Sequence, residues 1–97
     1  MPEFSKELAA LDRLFKIASD DTHQSRRVAD FLLAWWNASR DGGFDLTGLW
    51  NLDTAICEDL TLVFGLICRT RSYPDAYGYD DAIRGLVEQW RQPAKER

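Results

Sequence analysis

Residues 25–50 read SRRVADFLLAWWNASRDGGFDLTGLW, and the reading of this stretch decides the fold. Val28, Leu32 and Trp35 stand at i, i+4 and i+7, and Ala29, Leu33 and Trp36 form the adjoining row. Two such rows side by side, widened by Phe31, describe an amphipathic helix with a broad apolar arc. A helix of that breadth belongs at the centre of a bundle. It is predicted to begin between residues 22 and 25 and to end near residue 39. Asp41-Gly42-Gly43 stops it, because glycine takes the left-handed conformation that closes a helix C-terminus. Residues 44–52 then hold one short helical turn, since Gly48 opposes anything longer. Leu46, Leu49, Trp50 and Leu52 there are apolar enough to plug one end of a core.

The flanking segments read as helices gathered around this one. Upstream, Phe4, Leu8, Leu11, Phe15 and Ala18 recur at helical spacing, which predicts a helix from residue 2 or 5 to residue 19. Glu3 and Glu7 suit the positive end of its dipole. Ser19-Asp20-Asp21-Thr22 breaks the pattern and offers caps for the next helix. Downstream, Ile56, Leu60, Val63, Phe64 and Ile67 form the stripe of a third helix, which starts after Asn51 or Asp53 and ends by residue 71 or 72. Leu62 and Leu66 broaden it, so it should lie between two neighbours. Pro74-Asp75-Ala76-Tyr77-Gly78 is a turn-rich connector. A fourth helix runs from residue 80 to 92, with Asp80 as its cap, Asp81 at its dipole and Ile83, Leu86, Val87 and Trp90 on its apolar face. Tyr79 packs over its entry, and Pro93 ends it.

The expectation is therefore an all-α fold, a compact bundle of four main helices plus a short helical turn. It forms one domain over residues 1–97, with residues 93–97 a frayed tail. Short connections make sequential helices antiparallel neighbours. The core should include Leu11, Phe15, Leu32, Trp36, Ile56, Leu60, Phe64 and Leu86. Of the adjacent tryptophans, Trp36 should be buried and Trp35, beside Arg27 and Asp30, nearer the surface.

Composition narrows the function. The 97 residues carry a net charge of −4, with 45% hydrophobic and 29% charged residues. An acidic balance argues against direct nucleic-acid binding, which needs a basic face, and against an anionic membrane surface. No run is long enough to span a bilayer, and residues 1–18 mix charge with apolar residues as a signal peptide does not. Cys57 and Cys68 lie on one helix at a rise of about 16 Å, beyond disulfide reach, so both are expected reduced in a cytoplasmic protein.

Chemical motifs are missing. A single His23 and two separated cysteines build no zinc site, so no metal and no cofactor are expected. There is no P-loop, GxGxxG, HExxH or GxSxG. Asp20, Asp21, Asp41, Asp45, Glu58, Asp59, Asp80 and Asp81 read as caps and solvated faces rather than as catalytic pairs, so no enzyme activity is expected. The aromatic residues carry more information. An exposed Trp35 beside Arg40 and Phe44 would make a binding surface of the kind enriched in Trp, Tyr and Arg, and the loop with Tyr73, Tyr77 and Tyr79 offers a second candidate patch.

The runs SRRVADFLLAWWNA, GGFDLTGLWNLDTAI and YPDAYGY resemble a family of small uncharacterised proteins encoded on plasmids and integrative elements of proteobacteria. The likeness covers residues 11–91. It implies no activity, cofactor or catalytic residue, but it implies accessory cargo of mobile DNA. Small acidic proteins of that setting include inhibitors of host defence, anti-CRISPR proteins among them. The expected function is thus a non-catalytic protein-binding module, an inhibitor of a host protein complex. The alternative is a homodimeric accessory protein whose aromatic patch is its own interface.

Overall fold

A computed structural model of the chain describes residues 4–91. Within them lie four α-helices: α1 Ser5–Ala18, α2 His23–Asp41, α3 Thr54–Thr70 and α4 Asp80–Trp90. Leu46–Asn51 and Pro74–Tyr77 are short 3-10 turns, and no strand occurs among the described residues. The all-α bundle expected from the sequence is the one observed. The expected helical start at residue 2, Glu3, and the frayed tail with Pro93 lie outside the described residues.

Local chemistry accounts for both ends of α2. The Thr22 hydroxyl accepts the Ser25 amide at 2.9 Å and starts α2. Glycine does stop α2, but Gly42 takes φ 96° and ψ 159°, a positive-φ extended conformation rather than the left-handed helical cap expected. A residue with a Cβ would be strained there all the same. Asp80 is already helical and Tyr79 holds the capping position of α4, so the expected Asp80 cap is absent.

α2 also breaks where the sequence shows no proline or glycine. Asn37 has φ −165° and ψ 81°. Its side-chain oxygen accepts the Arg40 amide at 3.2 Å and restarts the last turn. In a straight helix Asp30 and Asp41 would stand about 16 Å apart. Here one guanidinium holds both: Arg91 donates from Nε to the Asp41 carbonyl at 2.8 Å and pairs with the Asp30 carboxylate. The fold-back also buries the Asp41 side chain, which pairs with Arg40 at 2.8 Å.

The packing order departs from a simple up-and-down bundle. α1 lies against both α2 and α3, and α4 lies against α2. Arg13 grips Asp59 with two bonds of 2.9 and 2.8 Å, and Arg69 reaches Glu7 at 2.7 Å, so α1 and α3 are antiparallel. Gln24 bonds the Asp53 amide at 2.7 Å at one end, and the Trp35 indole donates to the Ser72 carbonyl at 2.8 Å at the other. α2 and α3 therefore run parallel. The expectation that sequential helices are antiparallel neighbours fails for this pair. Residues 42–53 carry the chain back along α2 before α3 begins, and that return makes the parallel pair possible.

Leu11, Phe15, Leu32, Ile56, Leu60 and Leu86 are buried as expected. Phe64 is not: it is 59% exposed, because α1 takes the Val63 and Leu66 side of α3 and leaves the Phe64 side open. Trp36 is half-buried rather than core, and Trp35 is half-buried too, so the predicted contrast between them is absent. Trp36 is the last residue before the Asn37 break, and its ring meets Tyr73 edge-on at 6.4 Å near the surface. Leu33→Ala, at a fully buried site, is expected to cost about 3 kcal/mol in urea titrations, and Phe64→Ala less than about 1 kcal/mol.

Candidate functional site: an apolar groove between two parallel helices

The parallel pair encloses α1 on one side and leaves a groove of about 500 Å³ on the other. α2 contributes Phe31, Ala34 and Trp35 to it. α3 contributes Cys57, Leu60, Phe64 and Ile67. These positions follow the 3.6-residue period of each helix, so one face of α2 looks across at one face of α3. The returning segment closes the remaining side with Phe44, Leu46 and Leu49.

Each wall has its own anchor. The Phe44 ring meets Phe31 edge-on, with centroids 5.6 Å apart, and pins the returning segment to α2. The Asp45 carboxylate accepts the Thr47 amide at 3.0 Å and the Thr47 hydroxyl at 2.8 Å, which starts the 3-10 turn. Those two bonds, aided by the charge of Arg27, hold the Asp45 carboxyl below its ordinary pKa of 3.8. Gly48 lets the turn settle on Arg27, since a Cβ there would stand 3.1 Å from a guanidinium nitrogen. In a 3-10 turn, residues three apart eclipse, so Leu46 and Leu49 both face the groove while Trp50 turns outward. Leu46 is 69% exposed and Trp50 82%, against the expectation that this turn plugs the core. The Cys57 thiol donates to the Leu49 carbonyl at 3.5 Å and ties the turn to α3.

The sequence-predicted binding residues divide. Trp35 and Phe44 line the groove together. Tyr77 stands behind Trp35 at a centroid distance of 6.4 Å, and its hydroxyl meets Thr70 at 2.5 Å, so it braces the wall. Arg40 is occupied by Asp41 beyond the Asn37 break and is not among the groove residues. Tyr79 faces another way: it stacks on Phe15 at 4.4 Å with planes 2° apart, and its hydroxyl reaches Asp12 at 3.3 Å. Burial, together with the Asp12 charge, raises the Tyr79 pKa.

Sequence reasoning missed Leu46, Phe64, Ile67 and Phe31 as surface-forming residues. The available signal was the breadth of the α3 stripe. By itself that breadth implies burial between two neighbours, whereas one neighbour is α1 and the other side is open.

Among the described residues no charged side chain lines the groove; Cys57 and Thr61 are its polar members, and Thr61 already donates to the Cys57 carbonyl at 2.9 Å. Such a lining offers apolar area and shape to whatever enters it. His23 borders a separate concavity with Asp21, Arg26 and Trp90, so His23 and Cys57 share no pocket. Both cysteines are free. None of the described helices is long and apolar enough to cross a membrane.

Two measurements probe the walls. Trp35→Phe keeps a ring but removes the bond to Ser72, and a loss of about 1 kcal/mol is expected in denaturant titrations. Because the Asp45 carboxyl is depressed in the folded chain, its contribution is present above about pH 4 and is lost as pH falls through the folded value. Fluorescence of Trp50, in a chain whose other tryptophans are replaced by phenylalanine, should change in that window and not in Asp45→Asn.

Comparison with curated proteins yields no match, and neither does comparison with solved structures. A family model does match, over residues 8–91, which is nearly all of the described chain, and the protein thereby belongs to DUF7673, a family of unknown function.

Proposed function

We propose that this protein is a non-catalytic binding module that holds a protein partner in the groove between α2 and α3. The observation that carries the reading is the groove itself: about 500 Å³, apolar and aromatic, with no charged side chain among the described residues that line it. Exposed Leu46, Trp50 and Phe64 add to it the kind of apolar surface that marks interaction sites. Aromatic anchors in a partly dry pocket are what dominates protein–protein affinity. The net charge of −4 suits a partner with basic surroundings, by steering encounter. The two free thiols suit a reducing compartment such as the cytoplasm. The resemblance to cargo of mobile DNA makes a host protein complex the proposed source of that partner, with inhibition as the outcome.

One observation favours a second reading, self-association. Trp50 is a large exposed knob on the same turn that walls the groove. A self-complementary face of this kind supports an isologous dimer.

A photo-crosslinking residue placed at position 64 in the host cell separates these readings, with position 84 on α4 as the control. A discrete adduct to another protein at 64 and none at 84 is the expected result. An adduct of the chain to itself at 64 makes the second reading the correct one. The same adducts at both positions, or none at 64, overturn the groove as a binding surface.

A further inference from the structure

We infer that the last turn of α2 is a strap on the groove, latched by Arg91. While the latch holds, residues 38–44 fold back and keep Phe44 in place as a wall. When it releases, α2 straightens through Asn37 and that wall swings away. This is a regulation of the groove, and it rests on the binding-module reading above for its purpose: the strap sets how wide a cleft a partner meets.

The break in α2 is not forced by its own sequence. Residues 37–41 read NASRD, with no proline or glycine. Nothing in that run prevents a helix, and Ala and Arg favour one. Yet Asn37 leaves the helical region at φ −165° and ψ 81°. The break forfeits the backbone bonds that would span residue 37. One donor is recovered locally, because the Asn37 side-chain oxygen accepts the Arg40 amide at 3.2 Å. The fold-back therefore depends on a bond from elsewhere in the chain.

Arg91 supplies that bond. Its Nε donates to the Asp41 carbonyl at 2.8 Å while the same guanidinium pairs with Asp30. The Asp41 carbonyl is one that a helix C-terminus leaves without a partner, so Arg91 caps the tail. A straight helix sets residues 30 and 41 about 16 Å apart, and only the folded-back tail can make the bond. The base of the latch is held firm. The Trp90 indole donates to the Ala18 carbonyl at 2.9 Å, and the Gln89 amide donates to the Asp20 carbonyl at 2.9 Å. Of the two parts that Arg91 joins, the tail is the one that moves.

Release strands no charge. Arg40 pairs with Asp41 inside the tail, and the Gly42 amide bonds the Ala38 carbonyl at 2.9 Å, so both travel with it. Arg91 keeps Asp30. Opening breaks a bond to a carbonyl and not a buried ion pair, whose loss is the costly event. The tether to the groove is short, since three residues from Asp41 to Phe44 span at most about 10 Å. In a straight α2, Asp41 stands about 15 Å along the axis from Phe31. The Phe44 backbone then stops short of Phe31, and the edge-on ring contact at 5.6 Å is lost. The far end of the returning segment stays, because Cys57 holds the Leu49 carbonyl and Gln24 holds the Asp53 amide.

The test uses the full chain with spin labels on non-natural residues at positions 23 and 43, both exposed, and a Cβ at 43 meets open space. Pulsed electron–electron spin resonance reads their separation. A fluorine-labelled phenylalanine at position 44 reads the packing of that ring by NMR. The wild-type chain is expected to give mainly the short, latched distance. Arg91→Gln should move most of the population to a distance longer by about 15 Å, and should move the fluorine resonance toward its solvent-exposed position. Asn37→Ala, with Arg91 intact, should do the same in part. Ala38→Pro added to Arg91→Gln should restore both readings, because proline forbids the straight helix and suits the first position of a restarted turn. Unchanged distances in both single variants overturn the latch, as does a proline that restores neither reading. If circular dichroism shows Arg91→Gln unfolded, Asn37→Ala with and without Ala38→Pro decides by the same criteria. A lengthened distance with the fluorine signal unmoved overturns the strap as a wall of the groove. None of these readings needs a partner, so an absence of crosslinked protein at position 64 overturns the binding reading and leaves the latch standing.

Discussion

Helix α1 buries Ala10, Leu11, Leu14, Phe15 and Ala18, and it does so against two helices at once. That double packing is the constraint on which the rest of the fold depends. An antiparallel helix between two parallel ones lowers the dipole repulsion the parallel pair would otherwise feel side by side. Arg13 with Asp59 and Arg69 with Glu7 fix its direction and register against α3. With α1 in place, α2 and α3 each spend one apolar face inward and present a second face across the groove.

The groove is thus a consequence of topology rather than of poor packing. A hairpin from α2 to α3 would have placed the two helices in contact and closed it. Residues 42–53 instead return along α2, and Phe44 against Phe31 ties them down. The return delivers Leu46 and Leu49 as a third wall and leaves Trp50 outside. Arg91 performs a related task at the far end, where it clasps the folded-back tail of α2 to α4. A chain of this length has a small core, and such clasps hold elements that the core does not reach.

The sequence made the helices legible because each repeats apolar residues at the helical period, as Leu11 and Phe15 or Ile56 and Leu60 do. Trp35 and Phe44, paired by their closeness across the glycine stop, do line one groove together. Periodicity reports which face of a helix is apolar, however, and not what covers that face. Phe64 looks like a core residue by spacing, and its exposure depends on where α1 sits. The Asn37 break was hidden because no glycine or proline announces it; a side-chain bond to the Arg40 amide sustains it. Arg40 stands near Trp35 along the chain and Tyr79 near Tyr77, yet Asp41 holds Arg40 and Phe15 holds Tyr79, so neither joins the groove.

The parallel arrangement of α2 and α3 is the point on which the groove stands, and pulsed electron–electron spin resonance measures it directly. Spin labels at exposed positions 23 and 38, each paired with a label at exposed position 55, bracket the two ends of α2 against the start of α3. The expected result is a 23–55 distance clearly shorter than the 38–55 distance. A shorter 38–55 distance would mean that α3 pairs with α2 as an antiparallel hairpin, which leaves no room for the groove.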